Sequence, residues 1–71
     1  MSKLKAKREL AGLSQADLAR ISGVSIRMIQ YYEQGYKDIN KSAVETMKKL
    51  ADALNCLIED LIEEEQANGN L

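Results

Sequence analysis

Between Ser25 and Gly35 the chain concentrates hydrogen-bonding side chains: Arg27, Gln30, Tyr31 and Gln34. At about 100° per residue on a helix, these four fall on one side, with Met28, Ile29 and Tyr32 on the other. Such a face can read the edges of other hydrogen-bonding groups. Arg donates two parallel bonds to guanine, Gln matches the donor and acceptor of adenine, and an apolar residue at the helix start, Ile26, can cover a thymine methyl. A helix face that merely met water would more often carry Lys and Glu than Arg, two Gln and a Tyr.

Little other chemistry is available. Cys56 is the single cysteine and histidine is absent, so neither an internal disulfide, a zinc site nor a Cys-His nucleophile can be assembled. Cys56 reads as a small core residue. No nucleophile stands beside a base at motif spacing and no glycine loop is built for phosphate, so catalysis, a cofactor and a small-molecule substrate are not expected. A single domain of 71 residues buries only about 60% of its unfolded surface and has little room for a deep active-site cavity. No apolar run approaches the roughly 20 residues of a membrane span, and the charged stretch Met1 to Leu10 does not resemble a signal peptide. A cytoplasmic protein with no membrane contact is the expectation.

The elements that must position the reading face are punctuated by glycine and serine. Gly12, Gly23 and Gly35 each follow an apolar-periodic segment, as glycine just past a helix does. Ser14 and Ser25 stand ready as N-caps, and Asp17, three residues past Ser14, completes a capping box with Asp in place of Glu. Three short helices follow. A fourth is expected from Ser42, where Ser42 and Glu45 form a Ser-x-x-Glu box, through Val44, Met47, Leu50, Ala51 and Leu54 to a stop at Asn55. Leu57, Ile58, Leu61 and Ile62 then predict a short fifth helix, with Glu59, Asp60 and Glu63 on its wet side. Glu63-Glu64-Glu65 reads as a solvated, fraying helix end and 66–71 as a flexible polar tail.

Proline is absent and no strand-length segment alternates with period two, so the fold class is all-α: a compact bundle of five short helices within residues 1–65. Residues 14–35 have the make-up of two helices joined by a tight turn. Ala19 is small enough for a close crossing, Gly23 tolerates the turn, and Leu18, Val24, Ile29 and Tyr32 face one interior, the Tyr32 hydroxyl reaching the rim.

Charge is polarised along the chain. Residues 1–50 hold all ten Lys and Arg against five acids, for +5, and residues 51–71 hold six acids and no base, for −6. A basic body with an acidic end can turn one face to phosphate and keep the other away.

Taken in register, Leu4 and Arg8, Gly12-Leu13-Ser14-Gln15, Leu18-Ala19, Gly23-Val24-Ser25, Ile29, Tyr32-Glu33, Gly35 and Leu50-Ala51-Asp52-Ala53-Leu54 resemble the helix-turn-helix domain of the phage repressor and Cro family, the Xre type. The resemblance covers about residues 3–63 and implies a lambda-repressor-like fold. It implies that Gln15 binds a phosphate and a base edge at a helix N-terminus. Ser25, Ile26, Arg27, Gln30 and Tyr31 would lie in or beside the groove. Arg8 and Glu33 would pair, offering the Arg to phosphate, and Lys37 and Lys41 would touch the DNA backbone. Two departures stand out. Leu57 replaces a usual Ser, Thr or Pro, and the loop Tyr36-Lys37-Asp38-Ile39-Asn40 lacks the usual Arg and Pro.

The expectation is sequence-specific binding of double-stranded DNA by a transcriptional regulator, with repression favoured over activation. The third helix would read the major groove, in a homodimer on two half-sites. Leu57, Ile58, Leu61 and Ile62 are the dimer candidates. The alternative is a protein-interaction module on the same fold, antitoxin-like or a regulator subunit, whose function would depend little on Arg27 or Gln15.

Overall fold

A serine or aspartate marks the start of most elements, and a left-handed residue marks the end of most helices. The computed structural model describes residues 2–63. The elements are α1 (Lys3–Leu10), α2 (Gln15–Ser22), α3 (Ile26–Gln34), a 3₁₀ turn at Ile39–Lys41, α4 (Val44–Leu54) and a second 3₁₀ turn at Ile58–Asp60. No strand occurs among the described residues. The expected boundary at residue 65, the charged pair Glu64 and Glu65, and the tail 66–71 lie outside the described residues.

Local signals account for the helix-turn-helix. Ser14 Oγ accepts from the Asp17 amide at 3.0 Å while Asp17 accepts from the Ser14 amide at 3.1 Å, so the expected capping box forms. Ser25 caps α3 by accepting from the Met28 amide at 3.2 Å. Gly23 and Gly35 end α2 and α3 at φ 79° and 84°, backbone that costs a residue with a Cβ about 1–2 kcal/mol. Asn55 ends α4 in the same left-handed conformation, at φ 57°.

Three expectations fail. α4 begins at Val44 rather than Ser42, and the Ser42–Glu45 box does not form. Ala43 takes the N-cap position, and the Ser42 hydroxyl is directed instead to the Tyr32 hydroxyl, to which it donates at 2.6 Å. The predicted fifth helix is a single 3₁₀ turn, so the bundle holds four α-helices among the described residues. Leu57 has no side-chain acceptor with which to start a helix; its amide donates to Asp60 at 3.0 Å, and the Asp60, Leu61 and Ile62 amides each bond three residues back. Glu63 also leaves the expected wet helix face, because its carboxylate accepts from the Lys3 amide at 2.6 Å, at the start of α1.

α2 packs on α3 and α4, α1 packs on α3, and the second 3₁₀ turn closes against α4. Leu4, Leu18, Ile29 and Leu50, one from each helix, and Leu61, just past the second 3₁₀ turn, are fully buried. Each withdraws apolar surface worth about 1.5–3 kcal/mol from water. Val24, Tyr32, Ile39, Met47, Ala51 and Leu54 complete the core.

Candidate nucleic-acid interface

The Ser14 cap places Gln15 at the first position of α2, beside the free amides of a helix N-terminus. Glu33, on the last turns of α3, approaches it from the core side. The Glu33 carboxylate accepts from Arg8 Nε at 2.7 Å, Arg8 Nη2 at 3.0 Å and Gln15 Nε2 at 3.0 Å. Arg8 Nη1 donates to the Leu13 carbonyl at 2.8 Å. The two charged side chains are nearly removed from water, at 11% exposure for Arg8 and 3% for Glu33. The hydrogen bonds that Arg8 donates to Glu33 raise the Arg8 pKa beyond its already high value against the opposing effect of burial, so the guanidinium keeps its charge. Arg8 thus directs three of its five N–H donors to Glu33 and Leu13.

This arrangement fixes which way the Gln15 amide points. Glu33 can only accept, so Gln15 must turn its NH₂ towards it and its oxygen outwards. Gln30 Nε2 meets that oxygen at 3.5 Å, the long limit of a hydrogen bond. A polar chain thus runs from Arg8 in the core through Glu33 and Gln15 to Gln30 on α3.

Of the remaining residues singled out from sequence, Ser25, Ile26, Arg27, Gln34, Lys37 and Lys41 are exposed, and Gln15, Gln30 and Tyr31 are half-buried. Lys37 and Lys41 share one groove with Met28, Tyr36 and Thr46, alongside α3. Tyr36 did not emerge from the sequence. It is 76% exposed, and its ring meets that of Tyr31 edge-on at 6.0 Å. The signal available for it was an aromatic residue directly after the Gly35 helix stop.

The four dimer candidates divide. Leu57 is 61% exposed, Ile58 and Ile62 are half-buried against the core, and Leu61 is fully buried within its own chain. Cys56 is half-buried, and burial pushes its thiol pKa up, away from thiolate reactivity. Among the described residues no cluster of potential ligands is placed to hold a metal, and no helix is long and apolar enough to cross a membrane.

A Ser-capped helix, a Gly23 turn, and a second helix that shows a polar face and hides an apolar one define a helix-turn-helix protein. A family model described as helix-turn-helix matches residues 4–61, and the chain belongs to that family, the Cro/C1-type helix-turn-helix proteins, which are DNA-binding transcription regulators. No curated protein and no solved structure matches the chain.

Proposed function

We propose that the protein binds double-stranded DNA sequence-specifically by laying α3 in the major groove, as a homodimer on two half-sites, and that it represses transcription by occupying its operator. The polar chain that joins Glu33, Gln15 and Gln30 carries this reading. It gives a side chain at a helix N-terminus and a side chain on the neighbouring helix one shared orientation, as a phosphate contact beside a base contact requires.

In this reading Gln15 meets a phosphate through its backbone amide at the N-terminus of α2, while its side chain holds Gln30. Arg27 and Gln30 bond base edges, Ile26 covers a thymine methyl, and Ser25, Tyr31 and Gln34 line the groove wall. Lys37 and Lys41 neutralise phosphates from the loop, and Arg8 acts through Glu33. A single domain of this size covers only about 600–1,000 Å² of DNA-facing surface, so a second copy supplies the remaining affinity. Leu57 is the centre of the proposed contact between copies. It lines a groove together with Lys48, Ala51, Asp52, Ile58 and Glu59, and a two-fold axis would seat each copy's Leu57 against the other's groove.

The test is selection from a pool of random duplexes at about 150 mM salt, where non-specific binding is weak. Enrichment of paired half-sites about 34 Å apart, one helical turn, is the expected result. A folded, helical protein that enriches no sequence would overturn the reading in favour of a protein-interaction module.

A further inference from the structure

The loop that carries Lys37 and Lys41 spans residues 35–43, between α3 and α4, and its own hydrogen bonds are mostly local. Tyr36 and Lys37 amides bond the Tyr31 carbonyl, the Lys41 amide bonds Asp38, and the Asp38 side chain caps the Asn40 amide at 2.9 Å. Ile39 anchors it in the core and Ser42 ties its end to Tyr32. One further attachment reaches across the molecule. Asn40 Nδ2 donates to the Glu63 carbonyl at 2.7 Å, and the Glu63 amide donates to Asn40 Oδ1 at 2.8 Å.

Both ends of one side-chain amide are thus paired with both polar groups of one backbone residue. This is the pairing two strands make, done by a side chain, and it has one geometry only. Its foundation is firm. Leu61, two residues before Glu63, is fully buried, and the Glu63 carboxylate is fastened to the first turn of α1. Asn40 sits directly beside Lys41 in sequence and three residues from Lys37.

We propose that Asn40 is a positioning residue for DNA-backbone contact: by gripping the backbone of Glu63 it holds Lys37 and Lys41 at a fixed distance from the reading helix. This rests on the DNA-binding reading above. Neither contact involves the Glu63 side chain, and the buried Leu61 still anchors the segment when that side chain is removed, so the clamp survives without it and positioning is separated from general stability.

The experiment compares wild type with Asn40→Ala, Asn40→Gln, Glu63→Ala and the Lys37→Ala/Lys41→Ala pair, each shown to be helical by circular dichroism. Binding to the selected duplex and to a random duplex is measured across a salt series. Asn40→Ala and Asn40→Gln are expected to weaken both duplexes by the same factor. The slope of log affinity against log salt should shrink by about one to two, the change produced by losing one or two phosphate contacts. Glu63→Ala, which loses the cap on α1 but keeps the clamp, is expected to lower the melting temperature and leave the slope as in wild type. In the Lys37→Ala/Lys41→Ala background Asn40→Ala should add nothing.

An unchanged salt slope in both Asn40 variants would overturn the proposal, as would an equal loss from Asn40→Ala without the two lysines. A wild-type protein that binds neither duplex would overturn the DNA-binding reading itself, and this proposal with it.

Discussion

Replacing Glu33 with alanine tests the central polar chain, and the structure sets the size of the effect. Glu33 is 3% exposed and its carboxylate is the acceptor for two Arg8 donors and for Gln15. Removal leaves an arginine charge that is itself almost out of water with only the Leu13 carbonyl as partner. Breaking a buried pair from one side costs about 3–5 kcal/mol, against about 3–9 kcal/mol of total stability for a domain of this size. With a urea slope of about 1 kcal/mol/M for a small domain, the midpoint should fall by about 3–5 M, so the variant should be partly unfolded without denaturant. Circular dichroism during urea titration reads this directly. Replacing both partners, Arg8→Met with Glu33→Leu, removes the stranded charge and should return stability to within about 2 kcal/mol of wild type. That double variant should fold yet bind the operator weakly, because Gln15 has lost the acceptor that orients it. A cost below about 1 kcal/mol for Glu33→Ala, the range of an exposed ion pair, would refute the claim that the pair is desolvated.

Arg27→Ala should cost about 1–3 kcal/mol on the selected duplex and relax its sequence preference; equal losses on selected and random duplexes, measured by fluorescence anisotropy, would remove Arg27 from base reading. Gly35→Ala should lower stability by about 1–2 kcal/mol in urea titration. The cost is conformational, since an added Cβ at φ 84° would meet nothing within 4 Å. Asp17 is held below the ordinary carboxylate range by its hydrogen bonds to the Ser14 backbone and side chain. Its stabilising effect is therefore complete above the ordinary aspartate pKa and lost as pH falls through the lowered one. The melting-temperature gap between wild type and Asp17→Ala should be open at neutral pH and close in strong acid. Leu57→Asp, at a residue 61% exposed, should change monomer stability by no more than about 0.5 kcal/mol. In sedimentation it should yield a monomer at concentrations where the proposed wild-type homodimer forms.

What the sequence made legible was whatever a segment decides for itself. Ser14 with Asp17, Ser25, Gly23, Gly35 and Asn55 act within three or four residues, and the structure uses each in the expected role. Ser42 and Glu45 offer the same local signal, yet it is not used: α4 starts later, with Ala43 at its N-cap, and the Ser42 hydroxyl is directed to Tyr32, ten residues away. No local reading could weigh that partner. Leu57, Ile58, Leu61 and Ile62 have helical spacing, but a single turn that plugs Leu61 into the core satisfies the same pattern. The site divides likewise. The face of α3 follows from periodicity, whereas the Gln15–Glu33 and Asn40–Glu63 attachments join residues 18 and 23 apart and depend on how helices pack.

The position of the Arg8–Glu33 pair argues for a role beyond holding helices together. A buried ion pair is a poor source of stability, since apolar residues of similar volume serve about as well. A pair of leucines could join α1 to α3, but it could not orient an amide. Glu33 fixes Gln15 with its NH₂ inward, and so decides that the outward Gln15 oxygen accepts from Gln30. Gln30 is then left with its own oxygen and one N–H, the acceptor and donor that the major-groove edge of adenine requires. A charge placed in the core thereby sets the hydrogen-bonding polarity of the surface, one helix away, where sequence would be read.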